Sequence, residues 1–300
     1  MTEYNFYSTA EEVSEGLDLT GQNWVVTGCN SGLGEETIRV LALRGANIIG
    51  LARTKEKALK TFQRLGIEGT AVACELSALH SVQEAVKQIN SLGIPLQGII
   101  ANAGIMALPE LQQKNGIELQ FYTNHIGHFL LVTGLTEQLV DDGRVVILSS
   151  RAHAFAAERG LELDNLSGEK DYHDWRMYGR SKLANILFAR ALNKRFEGTN
   201  RKANAVHPGV IRTNLGRYVP DREAMYKNIQ RTITLKTIPQ GTATQVLVAT
   251  HPDLATVGGQ YFADCQITAP IQQGIDDALA EKLWTITEQI IARDLALSQT

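Results

Sequence analysis

Short runs in which apolar residues follow one another, instead of alternating with polar ones, recur along the first two thirds of the chain. They are Trp24-Val25-Val26, Ile48-Ile49, Thr70-Ala71-Val72-Ala73, Gly98-Ile99-Ile100, Val145-Val146-Ile147-Leu148 and Ala203-Asn204-Ala205-Val206. Such runs suit strands buried on both faces. Between them, residues 35–43, 81–89 and 181–192 place apolar positions at helical spacing. Strand alternating with helix predicts right-handed crossovers and an α/β fold: a doubly wound parallel sheet with helices on both faces. No repeat, linker or charge block divides the chain, so one domain spanning 1–300 is expected, with 1–20 as an N-terminal extension. Two stretches break the rhythm. Residues 152–174 are rich in charge and His, and in 212–240 Pro220 and Pro239 bracket a helix-like segment. Ligands of open parallel sheets sit beyond the carboxyl ends of the strands, so both stretches are expected covers and 212–240 the substrate lid.

Composition narrows the functions open to such a fold. Against 32 Asp and Glu the chain has 29 Lys and Arg, a net charge of −3. That balance argues against a nucleic-acid binder or a polybasic membrane anchor. Cys29, Cys74 and Cys265 are odd in number and far apart, which argues against a disulfide framework and a metal site and points to a reducing, cytoplasmic setting. Residues 1–20 carry five acidic side chains and no Lys or Arg, unlike an export signal. No apolar run approaches the roughly 18 residues of a membrane span.

The first chemistry lies directly after the first strand, in Thr27-Gly28-Cys29-Asn30-Ser31-Gly32-Leu33-Gly34. Glycines between a strand and a helix permit a tight turn and let backbone N–H groups approach a pyrophosphate. About twenty residues further on, an acidic residue would hold the ribose 2′-hydroxyl of NAD. Ala52-Arg53 stands there instead, with Lys57 a turn later. A guanidinium suits a 2′-phosphate, so NADP(H) is the expected cofactor.

Tyr178 and Lys182 are four residues apart, on one face of a predicted helix. The fifth strand ends in Leu148-Ser149-Ser150, and Asn124 lies in the long connection before it. The glycine spacing, Thr-Gly-x-x-x-Gly-x-Gly, and the ordered set Asn124, Ser150, Tyr178 and Lys182 together resemble the short-chain dehydrogenase/reductase family. Asn102-Ala103-Gly104 after the fourth strand and Pro208-Gly209-Val210-Ile211-Arg212-Thr213 after the sixth extend the resemblance over nearly the whole chain. It implies a Rossmann-type fold and a catalytic tetrad in which Ser150, or failing that Ser149, binds the substrate oxygen. Tyr178 would be acid and base, Lys182 would bind the nicotinamide ribose, and Asn124 would hold a water in a proton relay. The cofactor would touch Gly28, Asn30, Ser31, Gly32, Leu33, Gly34, Arg53, Lys57, Glu75, Leu76, Asn102, Ala103, Gly104, Tyr178, Lys182, Pro208, Gly209, Ile211 and Thr213. Relatives usually carry Asp where Glu75 stands.

The stretches Leu51-Ala52-Arg53, Ser149-Ser150-Arg151-Ala152-His153 and Tyr178 through Phe188 are similar to the retinol-dehydrogenase-like and WW-domain-containing-oxidoreductase branch. Met106, Leu108, His153, Phe155, Tyr172, Trp175 and the lid from Leu215 to Thr232 are the expected substrate-facing positions, and several are apolar or aromatic, which suits a small hydrophobic carbonyl or alcohol. The leading reading is an NADP(H)-dependent carbonyl reductase or alcohol dehydrogenase. An NADPH-binding regulatory sensor and a reductase of imines or activated alkenes are the alternatives. By resemblance, the helices carrying Asn124 and Tyr178 form an oligomer interface, so a homodimer or homotetramer is expected.

Overall fold

The computed structural model describes residues 3–297. The expected extension 1–20 and domain bounds 1–300 include residues 1, 2 and 298–300, which lie outside the described residues. The order is β1 (Asn23–Thr27), α1 (Gly32–Leu43), β2 (Asn47–Ala52), α2 (Lys55–Leu65), β3 (Gly69–Ala73), α3 (Leu79–Ser91) and β4 (Leu96–Ala101). A hairpin of β5 (Gln113–Lys114) and β6 (Ile117–Glu118) leads into a single turn α4 (Leu119–Phe121), a π-helical turn Tyr122–Ile126 and α5 (Gly127–Leu135). Then follow β7 (Leu139–Leu148), α6 (Asp174–Arg195), β8 (Lys202–His207), α7 (Arg222–Ile229), α8 (Ile238–Thr250), β9 (Tyr261–Ala263), β10 (Gln266–Ile267) and α9 (Asp277–Leu297).

The sheet order is β10-β9-β8-β7-β4-β1-β2-β3, and every neighbouring pair is parallel except β9 with β10. Side chains alternate across it as strand geometry requires. Val25, Ile49, Ile99, Val145 and Ile147 face a core shared with α3, α5, α6 and α9. Trp24, Val26, Ile48, Ile100 and Val146 face the other core, with Ile38 and Leu41 of α1, Phe62 of α2 and Val248 of α8. Both faces are therefore buried, which is why the strand runs read as continuously apolar. Strand order reverses between β1 and β4, and a cleft opens beyond their carboxyl ends, where open α/β sheets bind ligands.

Several elements had no counterpart in the sequence reading. β9 and β10 are too short to show a period, and the 5–6 hairpin has only two residues a strand. Pro239 does not close the lid's helix. It opens α8, whose Thr237 and Gln240 form a reciprocal capping box. The helix-like segment itself is the shorter α7. Among the described residues no helix is long and apolar enough to cross a membrane, and no His, Cys, Asp or Glu group could hold a metal.

Candidate active site

The glycine turn and the end of β4 are built as one piece. Gly28 and Gly32 adopt left-handed φ of 66° and 57°, a conformation that side chains disfavour. At Gly34 a Cβ would overlap the Gly28 carbonyl oxygen and lie 2.6 Å from Asn102 Nδ2. Asn102 Nδ2 donates to the Thr27 carbonyl (2.8 Å), and the Asn102 and Ala103 amides both donate to Thr27 Oγ1 (2.9 Å each). Thr27 thus fixes the 102–104 segment against the turn. Opposite this wall, Arg53 at the end of β2 lines the cleft, and so do Glu75, Leu76, Pro208, Gly209, Ile211 and Thr213. One Glu75 carboxylate oxygen already accepts from Ser77 N (3.1 Å) and Oγ (2.8 Å). Lys57, expected at the cofactor, instead stands exposed on the first turn of α2, outside the residues that line the cleft.

The four tetrad positions come together at the floor. Ser150, Tyr178 and Lys182 line the cleft, with Lys182 Nζ 5.6 Å from the centre of the Tyr178 ring. Lys182 Nζ donates to the Leu148 carbonyl (3.0 Å), which also accepts from Asn185 Nδ2 (2.9 Å). Ser149 and Ser150 part company. The Ser149 hydroxyl is buried and donates to the Lys182 carbonyl (2.7 Å), whereas Ser150 Oγ faces Tyr178 and accepts from Ala152 N (3.1 Å).

Asn124 is fully buried within the π turn. Its Oδ1 accepts from Ile105 N (2.9 Å), and its Nδ2 donates to the Ile105 carbonyl (2.9 Å) and to Ser181 Oγ (3.0 Å). A Cβ on Gly104 would lie 3.1 Å from Asn124 Oδ1 and 3.8 Å from Lys182 Nζ. Glycine therefore leaves that space open. His128, overlooked in the sequence, completes the frame. Its Nδ1 donates to the Asn124 carbonyl (3.0 Å), and its Nε2 accepts from Thr27 Oγ1 (2.9 Å), whose lone pairs serve the two amides above. The only trace of this in the sequence is a His four residues after Asn124, one helical turn on.

The cleft, which measures about 910 Å³, also has a largely apolar stretch of lining. Met106, Phe155 and Trp175 line it, joined by Leu215, Tyr218, Met225, Ile229 and Ile233 from the 212–240 segment. His153 is a correction. It is buried away from the cleft with Nδ1 2.6 Å from the Ser150 carbonyl, while Nε2 accepts from Ile271 N (3.1 Å) and its ring packs edgewise on Tyr261. Leu108 and Tyr172 are corrections too. The Tyr172 hydroxyl donates to the Leu108 carbonyl (2.7 Å), which locks the pair outside the lining.

The short chain dehydrogenase family model matches residues 22–160. Short-chain dehydrogenase TIC 32 A, chloroplastic, of Brassica napus is 39% identical over 96% of this chain and 94% of its own length. The chain belongs to the short-chain dehydrogenase/reductase family. Retinol dehydrogenase 14 of Mus musculus is 35% identical over 91% of this chain and 86% of its own length. The human WW domain-containing oxidoreductase is 35% identical over 97% of this chain and 73% of its own length. Among solved structures, an uncharacterised protein from Mycobacterium paratuberculosis superposes with a TM-score of 0.76 at 27% identity, covering 93% of this chain and 97% of its own. A short chain dehydrogenase from Burkholderia cenocepacia, solved in complex with NADP, reaches 0.67 at 20% identity, covering 82% and 96%.

In this short-chain dehydrogenase/reductase, burial shapes the electrostatics of the floor. It pushes the Tyr178 hydroxyl above the ordinary phenol range, against a lowering by its hydrogen bond to Ser150. It draws the Lys182 ammonium down to about 7, and no carboxylate opposes that. His128 falls to about 4, chiefly by burial, and is a neutral bridge at physiological pH.

Proposed function

We propose that this protein interconverts a lipophilic alcohol and its aldehyde or ketone with NADP(H), and that Tyr178 is the acid and base. One observation carries the reading: Tyr178, Ser150 and Lys182 converge in a cleft that is also lined by the apolar Met106, Trp175, Leu215, Ile229 and Ile233 and by Arg53. The glycine turn fits a pyrophosphate, because Gly34 has no room for a Cβ and the first amides of α1 have no partner within the helix. Arg53, with no carboxylate at the end of β2, suits a 2′-phosphate, and the Burkholderia relative was solved with NADP. When bound, the nicotinamide supplies the hydride for reduction or takes it up in oxidation.

The side chains do the rest. Ser150 donates a hydrogen bond to the substrate oxygen, where negative charge develops during reduction. Tyr178, held protonated by burial, then delivers its proton to that oxygen. Turnover near neutrality requires the phenolate to be brought down by about three units from 10, or roughly 4 kcal/mol. Charge on Lys182, one helical turn away, contributes part of this. Asn124 holds the π turn against Ile105 and Ser181, and Gly104 leaves space for a water between Asn124 and Lys182. Cys29 and Cys74 are buried and form no disulfide, which fits a reducing compartment such as the cytoplasm.

The test follows oxidation of NADPH and of NADH by purified protein against aliphatic, aromatic, steroid and retinoid carbonyls, with Tyr178→Phe alongside. Turnover with NADPH that disappears in the variant is expected. Turnover that survives Tyr178→Phe overturns the assignment of the acid, and a preference for NADH overturns that of Arg53.

A further inference from the structure

The face on which α5 and α6 present their aromatic side chains is covered from within. α9 lies along it, and Trp284 packs edgewise on Phe129 (ring centres 4.6 Å apart) and against Phe188 (5.8 Å). The Arg195 guanidinium caps the outer side of the indole at 3.6 Å. Arg195 also pairs with Glu281 (2.8 Å) and Arg190 with Asp277 (2.5 Å), so the apolar seam is flanked by ion pairs from α6 to α9. Phe129, Phe188 and Trp284 are each under 10% exposed in one copy of the chain. An aromatic patch of this kind, left open, would be a docking surface for a second copy.

The same helix reaches the catalytic floor. Tyr122 and His125 belong to the π turn that carries Asn124. The Tyr122 hydroxyl donates to Asp294 (2.8 Å), and His125 Nε2 donates to Thr287 Oγ1 (3.0 Å), whose own hydroxyl donates to Leu283 O (2.8 Å). Asp294 and Thr287 are buried. A π turn is a rare departure from α-helical hydrogen bonding and persists where its surroundings hold it. Here those surroundings come from α9, some 170 residues later in the chain.

We propose that α9 stands in for a second subunit: it closes the α5–α6 face to other copies and clamps the turn that positions Asn124. This replaces the homodimer or homotetramer through that face that the family resemblance implied. Tyr122, His125, Thr287 and Asp294 are then positioning residues, acting on proton transfer through Asn124.

Two measurements on the full chain test this. Light scattering should give one species at the chain mass of 32.9 kDa. Cross-linking of a mixture of heavy-isotope and ordinary copies with an amine reagent should join Lys194 to Lys282 within single copies. These lysines flank the Arg195–Glu281 pair and are both exposed. Lys194 linked to Lys194 or to Lys282 of another copy overturns the closed face.

For the clamp, Tyr122→Phe removes the hydrogen bond to Asp294 and Thr287→Val those to His125 and Leu283 O, and both keep the bulk of the side chain. Amide exchange over 122–128 is expected to quicken roughly tenfold in each variant. kcat should fall roughly fivefold with a shifted pH profile and a KM within about twofold. Exchange at the parent rate overturns the clamp. Since exchange is read without turnover, a failure of the oxidoreductase reading leaves this result standing.

Discussion

The floor of the cleft and its roof are built on different principles. On the floor, buried polar atoms bond across long stretches of chain: Asn124 to Ile105 and Ser181, Lys182 to Leu148, His128 to Thr27. The roof, 212–237, is held largely by exposed or local bonds such as Arg212 to Glu223 (2.8 Å) and Arg217 to the Asn214 carbonyl. It is anchored at Tyr226, whose hydroxyl donates to Ile211 O (3.2 Å), and at Lys236, whose buried ammonium lies 2.7 Å from Asp264. Proton transfer requires atoms fixed to fractions of an ångström, whereas an apolar wall has only to exclude water and match a shape. On the proposed function, chemistry sits where the network is dense and selectivity where it is sparse.

The sharpest way to break this contrast is Lys182→Met. kcat should fall by roughly 10²–10⁴. The fold should nonetheless gain stability, because the ammonium is fully buried with no carboxylate to offset it. Its folded-state pKa of about 7 lies below the value near 10.5 of the unfolded chain. The gain, a few kcal/mol, is therefore largest at and below pH 7 and vanishes as the pH rises toward roughly 10.5. Urea unfolding of both proteins at several pH values measures it. A variant no more stable than the parent at neutral pH means that the ammonium is solvated and the floor less dry than drawn.

Acid should attack the floor before the roof. Burial lowers His125 to about 3, His128 to about 4 and His207 to about 3, all below the unfolded value of 6.5. As the pH falls, the unfolded chain takes up these protons first. Stability is fully present above pH 6.5 and drains toward pH 4, by up to about 1.4 kcal/mol per pH unit for each histidine. The loss is expected as a falling urea midpoint, with amide exchange rising first around His125 and His128. A midpoint unchanged down to pH 5 would show that these rings are not held neutral.

How much of this was legible in the sequence follows the same division. Arg53, the glycine turn, Tyr178 and Lys182 could be placed because each depends on local order: a strand end, a turn or one helical period. Ser150 could be preferred over Ser149 only by resemblance. The physical reason, that the Ser149 hydroxyl is committed to Lys182 O, is a contact across 33 residues. His128 and the α9 clamp were invisible, since nothing nearby marks a bond to Thr27 or from Tyr122 to Asp294. His153 was misplaced for a related reason: adjacency to Ser150 suggested the cleft, but the turn after β7 points it at Tyr261 and Ile271.

At the mouth of the cofactor half, Arg53→Ala should weaken NADPH binding roughly tenfold and leave NADH nearly unchanged. A charge-assisted bond to a phosphate is worth about 1.5–3 kcal/mol, and this exposed side chain sits toward the lower end because salt screens it. The difference should shrink further at high ionic strength. Equal losses for the two cofactors would mean that Arg53 supports the wall without reading the phosphate, extending the floor's rigid character to the adenosine end.

The smallest effect belongs to the roof. Ile229 on α7 is half-buried and faces the apolar half of the cleft. Ile229→Ala removes contact worth roughly 1 kcal/mol, at about 0.8 kcal/mol for each buried methylene, since part of the side chain already meets solvent. KM for a bulky substrate should rise roughly fivefold while kcat stays within about twofold, the sign of binding shared equally by ground and transition states. Across carbonyls of increasing chain length, the penalty should grow only once the chain is long enough to reach α7. A fall in kcat at constant KM would show instead that α7 helps align the reacting atoms. The roof would then belong to the catalytic frame, and its sparse bonding would mark a closed state that forms around the substrate.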